Sequence, residues 1–204
     1  MTARREYRSR LRAERAEDTR ERIITAAREL FAARGLEATT MSAIAARAGV
    51  ADPTVYAVFG SKREIMAALL ARTEQAAHAP QWAGQIAAEA DPAARLALFA
   101  AWSRELFESS DDLVTAVHRG PAVAELAAEG EGRRRQAVES LIAGLAEAGG
   151  LRPGLTRKQA ADRVWMLTGP ETYLLAAACG WPPLAYQQWL AETLAVQILR
   201  ASIG

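Results

Sequence analysis

The sequence predicts an all-α protein, with a small three-helix domain at the N-terminus and a larger antiparallel helical domain after it. Three observations carry this. Apolar residues recur at three- and four-residue intervals along nearly all of the 204 residues, the spacing that gathers them on one face of a helix. No stretch alternates apolar and polar residues between turn signals, as a half-buried strand does. Capping residues stand where the periodic stretches start, and Gly or Pro where they stop. The expected division is an Arg-rich arm at 1–17, a first domain at 18–62 and a second at 63–204.

Residues 1–17 hold little apolar content beyond Tyr7 and Leu11. They read either as a mobile arm or as a frayed extension of the first helix. Helix 1 is expected from Asp18 as N-cap, with Glu21 three residues on as in a capping box. Its apolar stripe is Ile23, Ala27, Leu30 and Phe31, and Gly35 closes it. A short helix follows at about Met41 to Ala48, capped by Thr40 and ended by Gly49. Asp52 can cap the third, with Pro53 at the first helical position, where no backbone N–H is required. This helix reaches about Phe59. Ser61 and Glu64 form another capping box, opening a helix whose inner face carries Ile65, Met66, Leu69 and Leu70.

Beyond Pro80 the helices lengthen. Asp91-Pro92 opens one with Leu96, Phe99, Ala100, Ser103 and Phe107 on one side. A short helix is expected near 111–118. Pro121 onward reads helical to about Ala148, weakened in the middle by Gly130 and Gly132. Gly149-Gly150 and Pro153-Gly154 mark a loop. Thr156 with Gln159 caps the next helix, which runs to about Ala178 with a kink or break at Gly169-Pro170. Gly180-Trp181-Pro182-Pro183 turns into the last helix, about Leu184 to Ala201. There Leu190, Leu194 and Ile198 form one stripe, while Trp189, Val196 and Leu199 fall on others. Apolar side chains around most of the girth imply burial on two sides. One side is the subunit's own core. A second subunit best explains the other, so Trp189, Leu190, Leu194 and Ile198 are the candidate homodimer interface. A central helix buried within a monomer is the alternative.

Composition narrows the function classes. Half the chain is apolar, about a quarter is charged (24%), and mean hydropathy is −0.06. These values describe a water-soluble chain long enough for a substantial core. No stretch approaches the ~20 apolar residues of a membrane span, so no membrane partner is expected. The first residues lack the apolar segment of a signal peptide. The single cysteine, Cys179, excludes a disulfide framework and suits the reducing cytoplasm. With two widely spaced histidines, His78 and His118, it leaves little for a metal site, and no cofactor is expected. Arginine outnumbers lysine 23 to 2. The net charge of +1 hides an asymmetry: residues 1–70 carry 13 basic against 9 acidic side chains, and 71–204 carry 12 against 15. A basic end on an acidic body suits a polyanionic partner at that end.

Residues 41–60, MSAIAARAGVADPTVYAVFG, have the register of a helix-turn-helix. Ala45 sits where two helices cross and a larger side chain would part them. Gly49 follows four residues later, where the turn needs a positive φ. Ile44, Ala48, Val50, Val55 and Val58 occupy the buried positions that fix the interhelical angle. The second helix then presents its exposed N-terminal residues to a DNA major groove. An ordinary helical hairpin would not require all seven positions in register.

From Thr19 to Leu70 the chain resembles the DNA-binding domain of the TetR family of bacterial transcriptional regulators. The resemblance is carried by AARELFAARGLEATTMSAIAARAGVADPTVYAVFGSKREIM. A tail segment with Trp165, Pro170-Glu171-Thr172-Tyr173, Gly180-Trp181, Tyr186, Trp189 and Leu190 is similar to a recurring C-terminal type in the family. The resemblance implies that Thr40 contacts phosphate. It implies that Asp52, Pro53 and Thr54 face base edges, that Tyr56 reaches phosphate and backbone, and that Lys62 binds phosphate. Asp52 has two readings: N-cap of its helix, which is favoured, or acceptor from cytosine N4. Ser42 and Val58 stand where many relatives carry larger or polar DNA-facing residues, so direct polar readout is sparse. Pro53 and Thr54 can offer apolar contact to thymine methyls. The arm, with Arg4, Arg5, Arg8, Arg10, Arg12 and Arg15, either follows the minor groove or backbone or is a solvated tail.

The resemblance further implies double-stranded DNA and a homodimer as partners, together with a small-molecule effector. Phe99, Trp102, Phe107, Trp165 and Tyr173, with His118 and Arg119 as polar candidates, are available to line its pocket, although each reads first as a core residue, so the effector is expected to be largely apolar. In the family, ligand binding usually changes the separation of the two recognition helices, so the resemblance implies a ligand-released repressor. Two other classes compete. An enzyme lacks support, because the sequence holds no phosphate-binding Gly loop, nucleophile elbow, metal-ligand pair or Cys/His arrangement. A helical homodimeric interaction protein without regulated DNA binding would explain the last helix but not the helix-turn-helix register.

Overall fold

The structure is a computed structural model that describes residues 2–109 and 124–200. The short helix expected near 111–118, His118, Arg119 and Pro121 lie outside the described residues. Among the described residues the regular structure is α-helical, apart from one isolated antiparallel bridge between Leu151 and Leu199. It divides into two units, one reaching Arg72 and the other built from Thr73 to 109 and from Ala127 onward.

In the first unit, helix α1 (Thr2–Ala38) starts well before the expected cap. Helix therefore continues through residues 2–17, which is the helix-extension alternative rather than a mobile arm, and Asp18 lies inside the helix. The physical reason is composition: 2–34 contains no Gly or Pro and is rich in Ala, Arg and Glu, all good helix formers. Arg10 pairs with Glu14 and Arg22 with Asp18 at i,i+4 spacing. Glu21 does not close a capping box; it pairs with Arg72 at 2.6 Å. Ile23, Ala27 and Phe31 are buried as the stripe predicts, and the path breaks at Gly35 (φ 77, ψ 164), a region open essentially to glycine. Helices α2 (Met41–Ala48), α3 (Asp52–Phe59) and α4 (Lys62–Ala76) follow. Ile65, Met66 and Leu69 of α4 are buried. The first unit reaches Arg72, within α4.

The second unit contains α5 (Ala79–Ala88), α6 (Pro92–Glu108), α7 (Ala124–Glu147), α8 (Arg157–Leu167), α9 (Pro170–Ala178) and α10 (Pro183–Ile198). Asp91 caps α6 by accepting from Ala94 N at 2.8 Å. Leu96, Phe99, Ala100, Ser103 and Phe107 are its buried face, as the spacing predicts. Thr156 and Gln159 form a complete capping box on α8, and Gly169-Pro170 separates α8 from α9. Tyr173 lies between Phe107 and Tyr186, with ring centroids 5.5 and 5.2 Å away. Arg152 N donates to Ile198 O and Arg200 N to Gly150 O, so backbone pairing ends α10 at Ile198, three residues before the expected stop.

Helix α10 corrects the expected dimer face. Tyr186, Leu190, Leu194 and Ile198 are completely or almost completely buried within the chain itself. Leu190, Leu194 and Ile198 therefore cannot meet a partner, and of the expected set only Trp189 is partly exposed. The opposite stripe, offset by two residues, is Leu184, Gln188, Glu192 and Val196, all exposed. Sequence periodicity finds apolar stripes but cannot say which of two faces inward.

Candidate nucleic-acid interface

The interface is built on α2 and α3. Thr40 is extended (φ −103, ψ 155), and its hydroxyl oxygen accepts from Ala43 N at 3.1 Å, capping α2. Such caps are worth about 1 kcal/mol. Thr39 before it is buried and donates from Oγ1 to Gly35 O at 2.8 Å, tying the α1–α2 corner. Ala45 is fully buried at the helix crossing together with Ile44 and Val55, and Ala48 is buried beside them. Val50 and Val58 are half-buried. Gly49 adopts φ 65, ψ 40, and Val50 N donates to Ala45 O at 3.0 Å, closing the turn.

Arg22 locks this turn from α1. Its Nε and Nη2 donate to Ala48 O at 3.1 and 2.6 Å, and Nη2 also donates to Gly49 O at 2.8 Å. A guanidinium on the last carbonyls of α2 also complements the negative end of that helix. Arg47 bonds Glu29 of α1 through Nη2 at 2.5 Å and Nε at 2.7 Å. Arg20 lies 4.3 Å over the Phe59 ring. Sequence reading missed these arginines. Arg20 and Arg22 signalled only a position on the polar side of helix 1, and Arg47 one on helix 2, which says nothing about partners 18 or 26 residues away.

The residues expected to face DNA are mostly exposed on and beside this scaffold. Thr40, Ser42, Asp52 and Pro53 are exposed, Thr54 is half-buried, and Tyr56 is 54% exposed although it is a large aromatic. Asp52 is not the N-cap of α3. Ala51 holds that position (φ −74, ψ 146), and Thr54 N closes the first turn on Ala51 O at 2.9 Å. Asp52 instead stands in the first turn, where a carboxylate favours the helix dipole, and it accepts a short hydrogen bond from the Ser42 hydroxyl. Lys62, the first residue of α4, donates to Leu36 O at 2.7 Å and Glu37 O at 3.3 Å, just past the break at Gly35. Its ammonium thus anchors the end of α1 and, with three donors, retains capacity for a further acceptor.

Residues 23–69 match the family model described as "Bacterial regulatory proteins, tetR family". Over 56 residues the chain is 48% identical to the HTH-type transcriptional regulator SrpR of Pseudomonas putida, covering 28% of this chain and 26% of SrpR. The chain thus matches only about a quarter of that curated relative's length. Among solved structures, NalD of Pseudomonas aeruginosa, the secondary repressor of the MexAB-OprM multidrug efflux pump, is 25% identical with a TM-score of 0.74. That match covers 92% of this chain and 98% of NalD. SmeT, the repressor of the Stenotrophomonas maltophilia efflux pump SmeDEF, shares the fold at 20% identity and a TM-score of 0.73, over 92% of this chain and 95% of SmeT. SmeT is also solved as a triclosan complex.

Residues 23–69 carry a domain of the tetR type.

The second unit holds a cavity of about 470 Å³ lined by α5, α6 and α7. Phe99 and Trp102 line it, as expected, and their rings meet edge to face at 5.3 Å. Phe107, Tyr173 and Trp165 do not line it. Phe107 and Tyr173 are buried in the aromatic row of the core. Trp165 is covered by two guanidinium groups, Arg134 at 3.3 Å and Arg135 at 4.3 Å from its ring centre. Burial lowers the Arg134 pKa, the largest effect, against an opposing pull from Glu171. Burial raises the Tyr186 phenol pKa, and its hydroxyl has no partner among the described residues. Among the described residues no group of acidic, His or Cys side chains could hold a metal ion, and no helix is long and apolar enough to cross a membrane.

Proposed function

We propose that this chain is a sequence-specific DNA-binding transcriptional regulator, a ligand-released repressor that binds a pseudo-palindromic operator as a homodimer. The observation that carries the reading is the first unit's exposed surface. Thr40, Ser42, Asp52, Pro53 and Tyr56 are exposed there and Thr54 is half-exposed, on or beside two helices packed through Ala45, turned at Gly49 and held by Arg22. α3 enters the major groove and reads base edges through Asp52, Pro53 and Thr54. The N-terminus of α2 with Thr40, the Tyr56 hydroxyl and the Lys62 ammonium position the helix on phosphates.

Two recognition helices are needed to span half-sites one helical turn apart, about 34–36 Å. The proposed dimer surface lies on the outward side of the last helices, where Leu175, Leu184 and Val196 are each more than 60% exposed. Repression is the sign that the names of NalD and SmeT carry, and it supports the same sign here. The effector occupies the cavity of the second unit. α5, which supplies Ala79, Ala83 and Ile86 to that cavity, follows directly on α4, the helix that Lys62 starts. Effector binding against α5 is felt through α4, and a changed separation of the two α3 helices releases DNA.

The test is a gel-shift titration with the DNA beside the chain's own gene. Retardation at nanomolar protein, at least about 1000-fold tighter than on a scrambled duplex, is the expected result. Equal affinity for both duplexes would leave only the helical interaction protein.

A further inference from the structure

The cavity carries more chemistry than a largely apolar effector requires. Its described lining includes two arginines, Arg95 and Arg133, and neither Asp nor Glu. Arg95, from α6, is held in place. Its Nε donates to Glu89 O at 2.8 Å, and Nη2 makes a short hydrogen bond to the same carbonyl, which ends α5. Nη1 is left without a hydrogen-bond partner among the described residues. It lies against α7 at Gly144, where an added Cβ would stand 2.8 Å away. Glycine is unfavourable inside a helix, and this one has a packing reason: its bare backbone admits the guanidinium. Around this cation, Ala83, Ile86, Phe99 and Leu141 provide apolar lining. A fixed guanidinium with an open donor on an apolar-walled cavity matches a carboxylate on a hydrocarbon body, because charge-assisted hydrogen bonds to an oxyanion are stronger than neutral ones.

From the pairing of Arg95 with Gly144 on the cavity wall, we infer that the effector is an amphipathic anion whose acidic head meets Arg95 and whose apolar body lies along α5 and α7. Arg133 of α7 adds positive charge to the lining. The inference rests on the proposal that this cavity is the effector site, and it replaces the largely apolar effector expected from sequence with one of defined head group.

The experiment compares three probes with one tail, decanoate, decanol and decyltrimethylammonium, each well below micelle formation. Binding is read on the intact protein by tryptophan fluorescence, to which Trp102 on the wall contributes. Decanoate is expected to bind at least about tenfold tighter than decanol, with the cation weakest. Arg95→Gln should erase the decanoate preference while leaving decanol binding unchanged. Because Arg95 also caps α5, Gly144→Ala provides a second variant: it retains the Glu89 contact, favours the helix, and pushes Nη1 aside. It too should cut the decanoate preference, with thermal stability kept or raised. Equal binding of decanoate and decanol, preference for the cation, or no fluorescence change with any probe would overturn the inference. A decanoate preference that leaves operator affinity untouched would support the head-group assignment and count instead against the regulator reading.

Discussion

Replacing Gly49 with alanine should damage the DNA-binding unit by an amount that can be worked from two contacts. Gly49 has φ 65 and ψ 40, and a left-handed backbone costs an L-residue about 1–2 kcal/mol. The new Cβ would also stand 3.1 Å from Nη2 of Arg22. That nitrogen donates to Ala48 O at 2.6 Å and Gly49 O at 2.8 Å, so it can retreat only by lengthening both bonds. A hydrogen bond to a charged group is worth about 1.5–3 kcal/mol, and partial loss adds roughly 1 kcal/mol, for a total near 2–3 kcal/mol. Urea melts of Gly49→Ala, Arg22→Ala and the double variant measure the parts. In the Arg22→Ala background, Gly49→Ala should cost only the backbone strain, leaving a coupling of about 1 kcal/mol. Gly49→Asn should be milder, since Asn tolerates this conformation better. Unchanged stability of Gly49→Ala would refute the turn geometry, and zero coupling would refute the Arg22 lock.

The other predictions follow from burial and hydrogen bonding. Leu194→Asp buries an unpaired charge at a site with 0% exposure and should unfold the second unit by circular dichroism. Val196→Asp, on the outward stripe, should keep the fold but shift sedimentation from dimer to monomer. Lys62→Ala should weaken binding to all DNA sequences alike and reduce the salt slope by roughly one per half-site. Because Lys62 also holds Leu36 O and Glu37 O, the same variant should lose about 1–2 kcal/mol of stability in a urea melt. Tyr186→Phe removes a buried hydroxyl with no partner among the described residues, so stability at neutral pH should hold or rise. The folded pKa of Tyr186 is raised above its unfolded value of about 10. Its contribution is therefore full below pH 10 and is lost as pH climbs beyond it. Tyr186→Phe should flatten the alkaline loss of stability by up to ~1.4 kcal/mol per pH unit.

Helix positions were legible because they are written in local chemistry. Thr40, Asp91 and Thr156 cap where their side-chain oxygens reach a backbone N–H three residues on, and such spacing is visible in a string of letters. Ala45 and Gly49 were legible because few residues fit a helix crossing or a positive φ. What escaped was anything decided by partners distant in sequence. Glu21 looked like a capping residue but pairs with Arg72. Asp52 looked like a cap but is engaged by Ser42. Leu190, Leu194 and Ile198 looked like an interface, yet they are buried in this chain's own core. Phe107 and Tyr173 had the residue types of a ligand pocket, and only packing shows that they fill the core while Arg95 and Gly144 shape the cavity.

The central claim is that the α2–α3 surface reads DNA sequence, and a salt-resolved titration of operator and scrambled duplexes with the native chain and Thr54→Ala tests it most directly. The native chain should prefer its operator at every salt concentration. Thr54→Ala should change base preference at one position of each half-site while leaving the salt slope unchanged. An operator preference that is absent, or one that survives Thr54→Ala with all base preferences intact, would contradict the claim.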